Sequence, residues 1–368
     1  MWRAARAIAT IFRWRFIKWP LLVGFVLLLS LLSPVAYVEL ACRGVADPKA
    51  ATYPPLITEP ASQRREANTY LTYPEWHIVY AYDGLAETLK TGDEYRYDYV
   101  SSVTGFWRAT CPLMRVADAH GGADWDTRSM IHTIGVSFMV EMGLKALYEE
   151  TVGRMTAWIR GPQKTPQDQV IAHMATDYAA FLRQTPWYDY PFPREARALW
   201  ASPVGPSLRG WERRLGIGAE FMAKTAYAKV IARAVAATEP AKLEIRSVIG
   251  GLTREQLASI PKVTIIGERG SGLEIETPRY DLFTRILVTI AQQGGTIIEI
   301  AGNDDIMVTL TVPAGADARL PHGRVLSRMK RSGFSGDRLL VDVKVSELGP
   351  FLTEHPLGEP GLEHVFDY

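Results

Sequence analysis

Residues 20–41 are the feature that most constrains this chain, because they are apolar and carry a single charge, Glu39, near their end. As an α-helix rising 1.5 Å per residue, they would span about 33 Å, close to the hydrocarbon thickness of a bilayer. Residues 1–19 hold five basic residues and no acidic one. The positive-inside rule then predicts a cytoplasmic N-terminus and a body on the opposite side. We expect one transmembrane helix that contacts the lipid bilayer.

A cleaved signal peptide and a lipoprotein are the alternatives for this segment. A cut after Ala41 places Glu39 at position −3, and a cut after Ala36 places Pro34 there, where a small residue is needed. Cys42 could be a lipidated cysteine, but Glu39 stands where an aliphatic residue is usual. The favoured interpretation is an uncleaved anchor in a bacterial inner membrane, with the body in the periplasm.

The chain has two cysteines, Cys42 and Cys111. Both would lie on the oxidising side of the membrane, where a disulfide is permitted. A bond between them would close a long loop and stabilise the fold by about 4 kcal/mol. Two unpaired buried thiols are the alternative, and the sequence leaves both possibilities open.

Composition excludes several classes of function. The chain has 368 residues, a length that predicts two or three folded units. Its net charge is only +1, whereas a nucleic-acid-binding protein normally carries a basic face. The sequence has no glycine-rich phosphate loop and no Cys-x-x-Cys motif. Neither nucleic acid nor nucleotide is therefore an expected partner, and no cofactor is predicted.

The body divides into regions of different hydrophobic period. Residues 42–70 contain three prolines and no period, which predicts an extended tether after the transmembrane helix. Residues 71–239 show a helical period, which predicts a bundle-like helical domain. Its strongest helix is expected from 126 to 159, where Gly161 and Pro162 follow.

Residues 240–353 predict a ferredoxin-like (split βαβ) domain, so the fold class is α+β. Within it, Thr296–Ala301 and Ile306–Val312 are expected to form a hairpin, and Gly323–Arg331 a short helix. Residues 354–368 are expected to be a C-terminal tail. Because 240–353 is long enough for its own core, we expect it to fold alone.

Candidate acid–base or metal-binding groups are scattered over the helical domain: Glu75, His77, His132, Glu141 and His173. His132 and Glu141 are nine residues apart and therefore lie on opposite sides of a continuous helix, about 180° apart. Glu75 and His77 diverge by about 200°. Buried polar residues with satisfied hydrogen bonds are therefore favoured over a metal site.

Two further patterns allow two interpretations each. Glu141 and Lys145 have the i, i+4 spacing of a helical ion pair, exposed or partly buried. The aromatic residues Trp187, Tyr188 and Tyr190 could line a groove for a lipid, glycan or peptide. The alternative is a lid over the core of the bundle, since aromatic rings bury a large area.

Four stretches resemble an uncharacterised family of bacterial single-pass membrane proteins. They are TYPEWHIVYAY (Thr72 to Tyr82), the helical stretch Ile131 to Arg154, Pro186-Trp187-Tyr188, and EIAGNDD (Glu299 to Asp305). The resemblance covers most of the body and implies the organisation described above. It implies no activity and no catalytic residue.

These observations lead to one hypothesis and one rival. The leading hypothesis is a membrane-anchored periplasmic binding or assembly module without catalysis, with an envelope protein as a possible partner. The rival is a cell-envelope enzyme with a Glu/His acid–base or metal site in the helical domain.

Overall fold

The computed structural model describes residues 2–47, 53–236, 243–317 and 319–368. Within them the chain is a mixed helix and sheet structure, which confirms the coarse fold class. The helices are α1 (Trp2–Ala41), α2 (Ala67–Leu71), α3 (Tyr73–Thr91), α4 (Tyr99–Ala119), α5 (Trp125–Tyr148), α6 (Arg154–Arg160), α7 (Pro166–Leu182), α8 (Phe192–Ala201), α9 (Leu208–Ala236), α10 (Arg254–Ser259), α11 (Asp281–Gln292) and α12 (Val345–Glu354). The strands are β1 (Glu244–Gly250), β2 (Thr264–Arg269), β3 (Gly272–Pro278), β4 (Thr296–Ile300), β5 (Asp305–Val312), β6 (Arg324–Lys330), β7 (Asp337–Lys344) and β8 (Gly361–Val365).

The apolar part of α1, Leu21–Ala41, is long and apolar enough to cross a membrane, with a mean hydropathy of 2.4. The stretch Trp125–Arg160, which contains α5 and α6, also meets this criterion at 1.2, although 28% of it is buried in the protein. In α1, residues 21–30 are exposed, whereas Val38 and the following Cys42 are fully buried. The body therefore packs around the C-terminal end of α1.

A capping residue begins a helix where no other helix ends directly before it. Thr165 begins α7 and Thr253 begins α10, each in a reciprocal capping box, as the sequence predicts. Thr72 does not cap α3, because α2 ends one residue earlier and the Thr72 hydroxyl donates to the Asn68 carbonyl instead.

The strands form two antiparallel sheets of four. The first sheet has the order β2-β3-β1-β4, and the second has the order β6-β7-β5-β8. Alternate residues of β5 point to two different cores. Val308 packs with α11 and α12, while Met307 packs with the helical region. The second sheet therefore lies between those two helices and the helical region.

Two predictions for residues 240–353 are wrong. Gly323–Arg331 contains the edge strand β6 rather than a helix. Leu326 and Met329 are three residues apart, a spacing that is typical of a helix. A bulge between Val325 and Ser327 lets both side chains pack on the helical region although they belong to a strand. The predicted hairpin is also absent, since β4 pairs with β1 and β5 pairs with β7 and β8.

The predicted tail over 354–368 is a structural part of the fold. It contains β8, which pairs with the central strand β5, and Phe366, which is fully buried. Burial alternates along Leu362, Glu363 and His364, but the stretch is too short to stand out as a strand in the sequence.

Candidate functional site

The five candidate acid–base residues do not come together. Glu75 is exposed in the first turn of α3. The His173 side chain is 77% exposed and lies 3.6 Å from Asp177, one turn further along α7. Neither residue contacts the other three candidates within the described part of the chain, so they do not form a common site.

His77 is a buried structural residue. Its Nε2 donates to the carbonyl oxygen of Ser102 at 2.8 Å, and its ring packs edge-on against Phe106 and Phe138. Burial lowers the pKa of His77 to about 4, because a charged imidazole would lose its hydration. The ring is therefore neutral at pH 7 and joins α3 to α4.

His132 belongs to a set of contacts at the end of α1, which we call the bracket. The carboxylate of Glu39 lies 2.7 Å from Nε2 of His132 and 3.0 Å from Nη2 of Arg128. A disulfide joins Cys42 to Cys111 on α4. The structure thus has the paired form of the two cysteines and fixes α1 to both α4 and α5.

Glu141 lies in a charge cluster between α3, α5 and α9. It accepts a hydrogen bond from the Tyr82 hydroxyl, and its carboxylate lies 2.7 Å from Nζ of Lys224. Lys145 pairs with Glu220 of α9 at 2.9 Å. Glu141 and Lys145 therefore each bind a residue of α9. They do not form the exposed i, i+4 ion pair with each other.

Glu220 and Lys224 of this cluster are both charged at neutral pH. Burial disfavours the charged form of Glu220, but the ammonium groups of Lys145 and Lys224 lower its pKa to about 2. Burial likewise opposes the charge of Lys224, yet Glu141 and other anionic neighbours raise its pKa above its usual value. The adjoining cavity is about 20 Å³, room for one water molecule. This geometry suits a structural clamp better than acid–base catalysis.

A second buried cluster, the arginine cluster, joins α9 to the turn that follows α5 and to α7. Arg209 and Arg213 are 1% and 0% exposed. Arg213 pairs with Glu149 at 2.9 Å, and Arg209 pairs with Asp168 at 2.9 Å. Further carboxylates around the two guanidinium groups are Glu94 and Glu212.

A π-helical turn, Glu149–Gly153, shapes the arginine cluster. The sequence predicts a continuous α-helix here, and no residue pattern signals the extra residue in the turn. Because of it, the Gly153 carbonyl accepts from Nη1 of Arg209 at 3.0 Å. A Cβ at Gly153 would lie only 2.2 Å from Oε2 of Glu149, so a larger residue there would displace this carboxylate from Arg213.

Residues 53–66, which we call the strap, are fixed to the first sheet. The buried Glu299 carboxylate on β4 accepts from the Tyr53 hydroxyl at 2.9 Å and from the backbone amides of Leu56 and Ile57. The segment that the sequence predicts as an extended tether is therefore held against the body at these residues. The sequence could not show this, because Glu299 is 242 residues from Ile57.

The rest of the EIAGNDD stretch also binds the strap. Arg64 donates its amide to the Ala301 carbonyl at 3.0 Å, and its own carbonyl accepts from the Asn303 side chain at 3.1 Å. Glu59 pairs with Arg269 of β2 at 2.7 Å. The EIAGNDD stretch thus forms the binding site for the strap within the same chain.

The strap ends in a polar cluster where three regions meet, which we call the junction. Glu66, His120 at the end of α4, and Asp305 of β5 have ligand atoms within 4.8 Å of one another, a spacing that could hold a metal. These atoms are engaged by the protein itself. His120 Nδ1 donates to Glu66 at 3.0 Å, and Lys344 Nζ lies 2.6 Å from Asp305.

The junction should make stability depend on pH. Burial raises the pKa of Asp305 to about 6 despite the ion pair with Lys344. Burial opposes charge on His120, but Glu66 outweighs it and raises the pKa. The folded state thus binds both protons more tightly than the unfolded state, so stability should fall as pH rises through about 6 for Asp305 and above 6.5 for His120. We expect Asp305→Asn to flatten this slope in thermal unfolding curves recorded between pH 4.5 and 8.

An unchanged slope in that variant would contradict the assignment. Arg285→Gln is a matched control, because Arg285 is exposed and pairs with Asp281 on the surface of α11, away from the junction.

The predicted groove residues are divided between surface and core. Tyr190 is 4% exposed and packs against Tyr178 and Phe192. Trp187 and Tyr188 are half-buried, and Trp187 packs on Tyr227 of α9. Tyr190 thus fits the interpretation as a lid rather than a groove wall.

Part of the TYPEWHIVYAY stretch forms the face of α3 that contacts the second sheet. The Trp76 ring stacks on His364 with centroids 3.6 Å apart. The Tyr80 hydroxyl lies 3.2 Å from Thr309 Oγ1, and the Arg338 guanidinium lies over the Tyr80 ring. This aromatic density therefore serves the contact between regions.

Comparison of the chain with protein-family models, with curated proteins and with solved structures finds no match. The candidate site must accordingly be judged from its own geometry. That geometry consists of the bracket, the strap and the junction, which together fix the described residues 39–47 and 53–66 against the helical region and both sheets.

Proposed function

We propose that this chain is a single-pass, membrane-anchored periplasmic assembly module that binds an envelope protein and has no catalytic activity. The observation that carries the proposal is the fixation of the chain after α1. A module attached through a bracket and a strap is held in one orientation above the bilayer, as suits assembly of a complex. The candidate catalytic residues His77, His132 and Glu141 are engaged in structural contacts, which supports the same proposal.

The bracket supports an uncleaved anchor over a signal peptide. Cleavage after Ala41 would remove Val38, which is fully buried, and Glu39, which binds Arg128 and His132. Removing the carboxylate would leave a guanidinium that is 7% exposed without its main partner, which is costly. Retention of α1 is therefore the more favourable state.

Orientation has a direct test. Residues 1–19 are basic, so we propose that the N-terminus is cytoplasmic and that the membrane is a bacterial inner membrane. Alkaline phosphatase fused after residue 60 should be active in a bacterial host, and a reporter that needs the cytoplasm should be inactive there. The reverse result would overturn the orientation and the oxidising environment of the disulfide.

We also propose a ferredoxin-like arrangement for residues 244–300. In support, α10 connects β1 to β2, α11 connects β3 to β4, and the order β2-β3-β1-β4 is antiparallel throughout. The proposed unit is shorter than the 240–353 that the sequence predicts and lies within its N-terminal part. We also propose membership of the uncharacterised family of bacterial single-pass membrane proteins, which the stretches Thr72 to Tyr82 and Glu299 to Asp305 resemble.

Complex formation can be tested with one variant and one control. Full-length protein extracted from its native membrane should migrate as a complex larger than the chain, and Glu299→Ala, which releases the strap, should weaken that complex. Glu87→Gln is the control, because Glu87 lies on the surface beside Lys90. A free wild-type chain with stoichiometric metal that His132→Ala removes would instead favour the enzyme.

A further inference from the structure

We infer that the paired helices α5 and α9 present a second membrane-contact surface, which lies in the lipid interface beside the anchor. This inference rests on the proposed anchoring of α1 and names the bilayer as the occupant of an uncovered apolar face.

The two helices run antiparallel and side by side. Glu141 pairs with Lys224 at 2.7 Å, and Lys145 pairs with Glu220 at 2.9 Å, so residue numbers rise along α5 as they fall along α9. Each residue step rotates by 100°, in opposite senses for two antiparallel helices seen from one end. The residues just before the paired ones therefore project to the same side of the helix pair.

That common side is apolar and exposed, and we call it the α5–α9 face. Its main members are Val140, Leu144, Leu147, Leu215, Met222 and Val230. Leu144 is 64% exposed and Met222 is 66% exposed. Among the described residues, every exposed position between 130 and 147 on α5 and between 215 and 227 on α9 is uncharged, and the exposed Lys229 lies beside Val230 beyond that range. A charge-free face of this extent is unusual on a solvated surface.

The bracket indicates where this face points. Glu39 on α1 contacts both Arg128 and His132, whereas Asp118, which accepts from the amide of Gly44 five residues further along the chain than Glu39, contacts Arg128. Moving along α5 beyond Arg128 therefore means moving back along α1, towards the bilayer. Since residues 21–30 of α1 are exposed, α5 diverges from α1 and does not pair with it along the membrane span.

Exposed tryptophans lie at both ends of the helix pair. Trp125 begins α5 and is 72% exposed, while Trp158 in α6 and Trp211 in α9 lie at the other end and are 82% and 47% exposed. Indole rings favour the headgroup region of a bilayer. An apolar face with such ends, starting at the anchor, fits an interfacial helix pair.

The test uses the full chain in nanodiscs of phosphatidylethanolamine and phosphatidylglycerol. A nitroxide is attached to one introduced cysteine at a time: Leu144→Cys, Met222→Cys, Leu27→Cys in the α1 span, and Ser259→Cys as a water-exposed control. The two native cysteines form a disulfide and leave the label site-specific. Because all four positions are exposed, labelling should not disturb the fold.

We expect the ratio of oxygen to nickel-chelate accessibility at Leu144 and Met222 to exceed that at Ser259 severalfold and to approach that at Leu27. A low accessibility ratio at Leu144 and Met222, equal to that at Ser259, with a high ratio at Leu27 would overturn the inference and leave the anchor intact. Low access to both reagents with spin–spin broadening would overturn it in favour of a second copy of the chain. An aqueous value at Leu27 would overturn the anchor as well.

Discussion

Replacing Arg213 with alanine should lower the free energy of unfolding by about 3–5 kcal/mol, the typical cost of breaking a buried ion pair by removing one partner. Arg213 is fully buried and forms ion pairs with Glu149, Glu212 and Glu94. Without it, the buried carboxylates of the arginine cluster would face one another with one cation fewer. Chemical denaturation of the full chain, followed by circular dichroism, measures the change.

Arg154→Ala is the matched control for this variant. Arg154 is 58% exposed and pairs with Glu150 one turn away in the same helical stretch, so its loss should cost at most about 1 kcal/mol. Equal effects of the two substitutions would show that the arginine cluster is not a principal support of the helical region.

A fragment of residues 240–353 should fail to fold, contrary to the expectation from sequence. It lacks β8, which leaves one side of the central strand β5 unpaired. It also exposes the face of the second sheet that carries Met307 and Leu340, both fully buried in the whole chain. We expect poorly dispersed amide signals and no cooperative thermal transition.

Longer fragments separate the two causes. Residues 240–368 restore β8 but still lack α3, whose Trp76 stacks on His364 of that strand. We expect this fragment to remain non-cooperative, whereas residues 53–368 should unfold cooperatively. A dispersed spectrum for 240–353 alone would instead support two independent domains.

Local features of this fold could be predicted from the sequence, because neighbouring residues determine them. The apolar length of α1, the capping residues Thr165 and Thr253, and the change from helical to strand period after residue 240 are examples. In each case the physical cause lies within a few residues, in a cap or in a hydrophobic period.

The features that failed are set by partners far along the chain. Glu39 reads as a charge at the end of an apolar helix, and only folding brings it to His132. Glu299 reads as an ordinary strand residue, although its carboxylate fixes the strap. Leu326 and Met329 have a helical spacing, yet pairing with β7 makes them part of a strand.

Amide hydrogen exchange of the full chain in nanodiscs tests the central claim, that the chain after the anchor is fixed to the body. The amide of Gly44 is bonded to Asp118, that of Asp47 to the Ala119 carbonyl, and those of Leu56 and Ile57 to Glu299. We expect all four to be protected, and Glu299→Ala to release only the last two. Exchange of all four at the rate of an unstructured peptide would contradict the account.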